Sequence, residues 1–121
     1  MSDVRGIGLD LCGIARMADK LDNERFLSRI CTSGEIAYLR SRGQMAAASL
    51  AAMWAAKEAA LKALGVGITL PMTDVEVLHD EAGRPSYALH GQAAVLCGGG
   101  TLLLSITHEC DMAAAMCVWQ A

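Results

Sequence analysis

Three ionisable side chains stand out by type and spacing. Asp10 lies near the start of the chain, and Glu58 and Lys62 follow one helical turn apart. A hard divalent cation such as magnesium takes oxygen ligands, with one or two carboxylates from the protein and the remaining positions filled by water and substrate phosphates. Asp10 and Glu58 would supply such a half-site, and Lys62 would add a positive charge beside it. A simpler reading stays open on spacing alone. In it Glu58 and Lys62 form an exposed i,i+4 pair worth about 0.3 kcal/mol, and Lys57 packs its aliphatic stem on the core while its ammonium snorkels to water.

The elements that must carry these groups are well marked. Ala, Leu, Met, Lys and Glu dominate from Met45 to Leu64, which predicts a helix from about Gln44 to Leu64. Steps of 100° place Leu50, Trp54, Lys57, Leu61 and Leu64 on one apolar stripe, with Glu58 and Lys62 on its flank. Gly65 ends the helix at a position that tolerates positive φ. At the other end of the chain, Ile7, Leu9 and Leu11 alternate with Gly8 and Asp10, the period of a strand with one buried apolar face and Asp10 on the other.

Gly6-Ile7-Gly8-Leu9-Asp10-Leu11, Trp54-Ala55-Ala56-Lys57-Glu58-Ala59 and Leu104-Ser105-Ile106-Thr107-His108 resemble the three signature segments of the holo-[acyl-carrier-protein] synthases, the small 4′-phosphopantetheinyl transferases. The segment from Phe26 to Glu35 and the turn Gly83-Arg84-Pro85 fit the same pattern in the same order, so the resemblance spans nearly the whole chain. It implies transfer of 4′-phosphopantetheine from coenzyme A to a serine hydroxyl of an apo acyl carrier protein, in fatty-acid or polyketide synthesis, with release of adenosine 3′,5′-bisphosphate. Carried over by position, Asp10 and Glu58 are the magnesium ligands. Lys62, Gly65, Pro85 and His108 are the coenzyme-binding set, and Asp10, Glu58 and Lys62 are the catalytic set. Glu58, directly or through a water on the metal, is the candidate base. The carrier protein is acidic, and Arg16, Arg25 and Arg29 correspond to the family's docking surface. The small members resemble homotrimers with active sites between subunits. One departure is Met53, where many relatives have arginine before the aromatic residue; if that arginine holds a coenzyme phosphate, this chain lacks a charge-assisted contact. An alternative reading is therefore a weakened homologue serving as a carrier-binding or assembly subunit, and a third is a trimeric nucleotide-binding module without transfer chemistry.

Composition sets outer bounds. The 121 residues suit one domain, residues 1–121, and 54% of them are apolar with only five aromatic side chains, which suits a subunit interface or an alanine-rich core. Five cysteines form no C-x-x-C, so they read as small core residues rather than a disulfide framework or zinc site. The first residues hold no signal-peptide pattern and no apolar run reaches the ~18 residues of a membrane span, so the expectation is a cytoplasmic protein without a membrane. A net charge of −3 gives no sign of nucleic-acid binding. Yet residues 1–42 hold seven of the ten basic side chains, while residues 66–121 hold one against six acids, so an acidic partner is steered to the N-terminal third.

In chain order, the patterns predict helices over Ile14–Leu21 (with Arg16 and Lys20 sharing a face), Glu24–Ile30 and Ser33–Arg42, the last opened by a Thr32/Glu35 capping box. A strand at Val75 and Val77 turns through Asp80 to Pro85 into a second over Ser86 to Leu89. A short helix over Gln92–Leu96 and the Gly98-Gly99-Gly100 turn precede two apolar strands, Leu102–Thr107 and Met112–Trp119. The fold class is α+β, helices in the first half packed on a mostly antiparallel sheet. No P-loop, dinucleotide fingerprint or G-x-S-x-G elbow occurs. His79 and His90 read as ordinary strand-end residues, whereas His108 ends a strand where a side chain can face a pocket.

Overall fold

The structure, a computed structural model, describes residues 3 to 121. Its centre is one long helix, α4 (Ala46–Leu64), laid across a three-stranded antiparallel sheet. Strands β1 (Val4–Gly13), β4 (Thr101–Glu109) and β5 (Met112–Gln120) run in the order β1-β5-β4. A separate hairpin, β2 (Val75–His79) and β3 (Pro85–Leu89), packs at the side, and helices α1 (Ile14–Ala18), α2 (Glu24–Ile30), α3 (Ser33–Arg40) and α5 (Gly91–Cys97) complete the fold. This is the expected α+β arrangement, with element ends shifted by a few residues.

Local signals account for the boundaries. Thr32 and Glu35 form the expected capping box, with the Glu35 N–H donating to the Thr32 hydroxyl and the Thr32 N–H to Oε1 of Glu35. Gly65 ends α4 in the left-handed region at φ 76°.

Three expectations need correction. The first concerns β1, whose apolar face is the open one: Ile7, Leu9 and Leu11 are 69%, 63% and 62% exposed. Gly6 and Gly8 face α4 instead, and a Cβ on either would collide with the carbonyl oxygen of Ala63 or Ala59. The strand's backbone lies directly on the helix, which is possible only where both surfaces are small. For the same reason α4 has no single apolar stripe: Ala51, Ala55, Ala56, Ala59, Ala60 and Ala63 are all buried, and Trp54 is only half-buried. The second correction is Lys57, which is fully buried rather than snorkelling. Its Nζ donates to Glu35 Oε1 at 2.9 Å and to the carbonyls of Met72 at 2.9 Å and Val75 at 2.7 Å. Glu35 Oε2 accepts the Val77 N–H, so one buried ion pair ties α4, α3 and β2 together. The third is Cys110, exposed at φ +56° in the β4–β5 turn, whereas the other four cysteines are buried as expected.

Register then fixes what lies where. Asp10, Ala115 and Ile106 form one row across the sheet, as do Cys12, Ala113 and His108, and both rows face α4. Rows Ile7-Val118-Leu103 and Leu9-Met116-Ser105 form the opposite, apolar face, which α4 does not cover.

Candidate active site

The close approach of β1 to α4 brings the first set of groups together. The Lys62 ammonium reaches across to donate to the Leu9 carbonyl at 2.9 Å and to Asp10 Oδ1 at 3.1 Å, so it does not make the i,i+4 surface pair with Glu58 that spacing allowed. Glu58, half-buried one turn earlier, has its carboxyl pushed above the usual glutamate range, chiefly by burial and then by the Asp10 charge; Lys62 and Arg16 pull it back. Asp10, Glu58, Lys62 and Arg16 thus share one electrostatic environment, and Gly65 closes α4 one turn beyond. A glutamate whose ionisation is opposed by burial and by a neighbouring carboxylate suits a hard cation, and in this structure the Lys62 ammonium lies against the pair. Among the described residues no group of three or more potential metal ligands forms.

Around this set lies the basic surface. The Arg16 guanidinium stacks 5.8 Å above the Trp54 ring, and Trp54 meets Phe26 of α2 at 6.0 Å. Arg25 and Arg29 are exposed on that same α2, and of the three expected docking residues Arg16 is the one whose charge acts on Glu58.

Pro85 and His108 lie elsewhere. They line a cleft of about 180 Å³ with Tyr38, Arg42, His79 and Gly83, and Ser49 and Ala52 of α4 form its wall. Ser49 precedes Glu58 by nine residues, which is about 13 Å along the helix and half a turn around it. The structure therefore joins Asp10, Glu58, Lys62 and Gly65, and separately Pro85 and His108, but α4 keeps the two sets apart within one chain. Met53 reaches neither. It is 1% exposed in the core, its sulfur 3.8 Å from that of Cys31. Arg42 also lines this cleft, although the sequence places it only among the N-terminal basic side chains. Nothing in its spacing marks it, because the cleft is built from α3, α4, the β2–β3 hairpin and β4.

Residues 6–106 match the model of the 4′-phosphopantetheinyl transferase superfamily, and the chain belongs to that family. Within it, the chain is 42% identical over 126 residues to the holo-[acyl-carrier-protein] synthase of Nocardia farcinica, covering 95% of this chain and 86% of that one. It is 38% identical over 119 residues to the synthase of Treponema denticola, covering 95% and 97%. Among solved structures, the holo-ACP synthase of Plasmodium yoelii aligns with TM-score 0.85 at 28% identity, covering 100% of this chain and 98% of that one. The Helicobacter pylori synthase in complex with coenzyme A aligns with TM-score 0.81 at 29% identity, covering 93% and 98%.

Proposed function

We propose that this protein is a holo-[acyl-carrier-protein] synthase. It moves 4′-phosphopantetheine from coenzyme A to a serine hydroxyl of an apo acyl carrier protein. The observation that carries the site assignment is the convergence of Asp10, Glu58 and Lys62 where β1 meets α4. The serine oxygen forms a bond to the pantetheine-linked phosphorus. The bond from that phosphorus to the oxygen bridging the diphosphate breaks, and adenosine 3′,5′-bisphosphate leaves with the electron pair. Glu58, whose carboxyl is raised above the usual glutamate range by burial and the Asp10 charge, accepts the serine proton, directly or through a water, and Lys62 faces the charge on the diphosphate. Asp10 and Glu58 would hold magnesium, which supplies further neutralisation of phosphate charge when bound. Arg16, Arg25 and Arg29 receive the acidic carrier protein.

The active unit in this reading is a homotrimer. Its support is twofold: the apolar sheet face carrying Ile7, Leu9, Leu11, Leu103 and Met116 is uncovered, and the two coenzyme-binding sets lie on opposite sides of α4. One coenzyme, whose two anionic centres are only a ribose apart, then meets Lys62 of one copy and His108 of the next. Among the described residues no helix is long and apolar enough to cross a membrane. Cytoplasmic residence is part of the proposal and suits five cysteines that form no disulfide. The weakened-homologue alternative loses its motive, because Met53 is a core residue and not an emptied phosphate contact.

The test is to incubate the protein with coenzyme A, magnesium and an apo carrier protein and weigh the carrier. A mass gain of one phosphopantetheine, abolished by chelation of the metal, is expected; an unchanged carrier mass overturns the proposal. Arg16→Ala is expected to raise the KM for the carrier and leave that for coenzyme A unaltered.

A further inference from the structure

We propose that Tyr87 is a positioning residue for this reaction: from the β2–β3 hairpin its hydroxyl fixes, through the Ala56 carbonyl, the turn of α4 that presents Glu58 to Asp10. The inference rests on the reading that Asp10 and Glu58 hold magnesium.

Three observations carry it. The first is a direct contact. The Tyr87 hydroxyl donates to the Ala56 carbonyl at 2.6 Å, and Ala56 is 0% exposed in the middle of α4. In a regular helix that carbonyl already accepts the N–H four residues on, so the hydroxyl takes its second lone pair without breaking the helix. The phenol is pushed above the usual tyrosine range, first by burial and then by the Cys117 thiol beside it, so it stays a donor.

The second is register. Tyr87 pairs with Val77 across the hairpin. The Val77 N–H donates to Glu35 Oε2, and Glu35 Oε1 accepts from the Lys57 ammonium. One cross-strand pair therefore holds two successive residues of α4, Ala56 by its carbonyl and Lys57 by its side chain, and Glu58 is the residue that follows. Two attachments on neighbouring residues resist rotation of the helix about its axis, where either alone would leave a pivot. The third is the place of Cys117. It lies in β5 opposite Gly8 of β1, two residues before Asp10, and Gly8 rests on Ala59. The Tyr87 hydroxyl thus stands between the helix that carries Glu58 and the strand paired to the one that carries Asp10. A rotation of α4 by about 10° moves a carboxylate roughly 6 Å from the helix axis by about 1 Å, enough to spoil a shared cation site.

Tyr87→Phe keeps the ring and removes the hydroxyl. Two constants decide the matter: the magnesium concentration that half-saturates transfer, and the dissociation constant of manganese, which favours the same oxygen ligands, read with coenzyme A present from the electron paramagnetic resonance signal of the free metal. Both are expected to rise about three- to tenfold, with the KM for the carrier protein unchanged. Leu102→Ala, a core truncation at the start of β4, is expected to lower the melting temperature and to leave both metal constants as they are. Unchanged metal constants in Tyr87→Phe, or an equal rise in Leu102→Ala, overturn the proposal. Glu58→Ala separates the two levels of failure. If it abolishes manganese binding while Tyr87→Phe leaves binding unaltered, the carboxylate site stands and the positioning role falls; if Glu58→Ala also binds manganese normally, the metal-site reading falls with it.

Discussion

Lys57→Met is the perturbation that most sharply tests how α4 is held. In the folded protein Lys57 is 0% exposed and Glu35 1%, and their 2.9 Å contact is joined by the Met72 and Val75 carbonyls on one side and the Thr32 and Val77 amides on the other. Methionine matches the stem in length but leaves the Glu35 carboxylate buried without its cation, and two carbonyls without their donor. Breaking one partner of a buried pair costs about 3–5 kcal/mol, a large share of a typical domain's 5–15 kcal/mol. At about 4 °C per kcal/mol for a chain of this size, the melting temperature falls by roughly 12–20 °C. Urea unfolding followed by circular dichroism measures the loss directly. Adding Glu35→Gln to Lys57→Met removes the stranded charge, so the double variant is expected to be more stable than Lys57→Met alone. A loss under about 1 kcal/mol, the scale of an exposed pair, would refute the reasoning and restore a solvated Lys57. The consequence reaches the site, because pinning Lys57 inward fixes the rotation of α4 and turns the next residue, Glu58, toward Asp10.

Other outcomes follow from the same geometry. Met53→Arg is expected to lower the melting temperature without lowering the KM for coenzyme A, since the new charge has no exit from the core. Gly8→Ala drives a Cβ into the Ala59 carbonyl, so β1 must lift from α4; loss of both stability and transfer activity is expected, whereas Gly83→Ala, with open space around it but φ +86°, is expected to cost only local strain. In metal-free protein, carbon-13 NMR is expected to show Glu58 titrating above ordinary glutamate. The sign follows from its surroundings: Asp10→Asn removes a charge that raises the value and so lowers it, while Arg16→Ala removes one that lowers it and so raises it further.

How far the sequence could be read depended on whether a signal was local. The Thr32/Glu35 capping box and the Gly65 terminator involve neighbours within one turn, and both stand in the structure where the residues indicate. Asp10 and Glu58 were legible because each lies inside a recognisable motif, and Lys62 because it follows Glu58 by one helical turn. Alternation in β1 showed that one face is apolar but not which face is covered. Glycines and alanines, which look featureless in sequence, make the tight contact, and the leucines are left for another surface. Lys57 sat correctly on the inward stripe, yet its partner lies 22 residues earlier on another helix, beyond any periodicity argument. The cleft lined by Arg42, Pro85 and His108, and its separation by α4 from Lys62, depend on how four elements meet in space.

The central claim is that a complete site needs two copies of the chain, one giving Asp10, Glu58 and Lys62 and the other the Pro85 and His108 cleft. It is tested most directly by mixing two defective proteins, Glu58→Ala and His108→Ala, after dissociation and reassembly in equal amounts. In a closed ring each contact pairs the two half-sites at random, so about a quarter of sites recover both intact halves, and transfer activity rises above that of either variant alone. Activity no higher than the average of the two separate variants would mean that each chain holds its own whole site, contradicting the account.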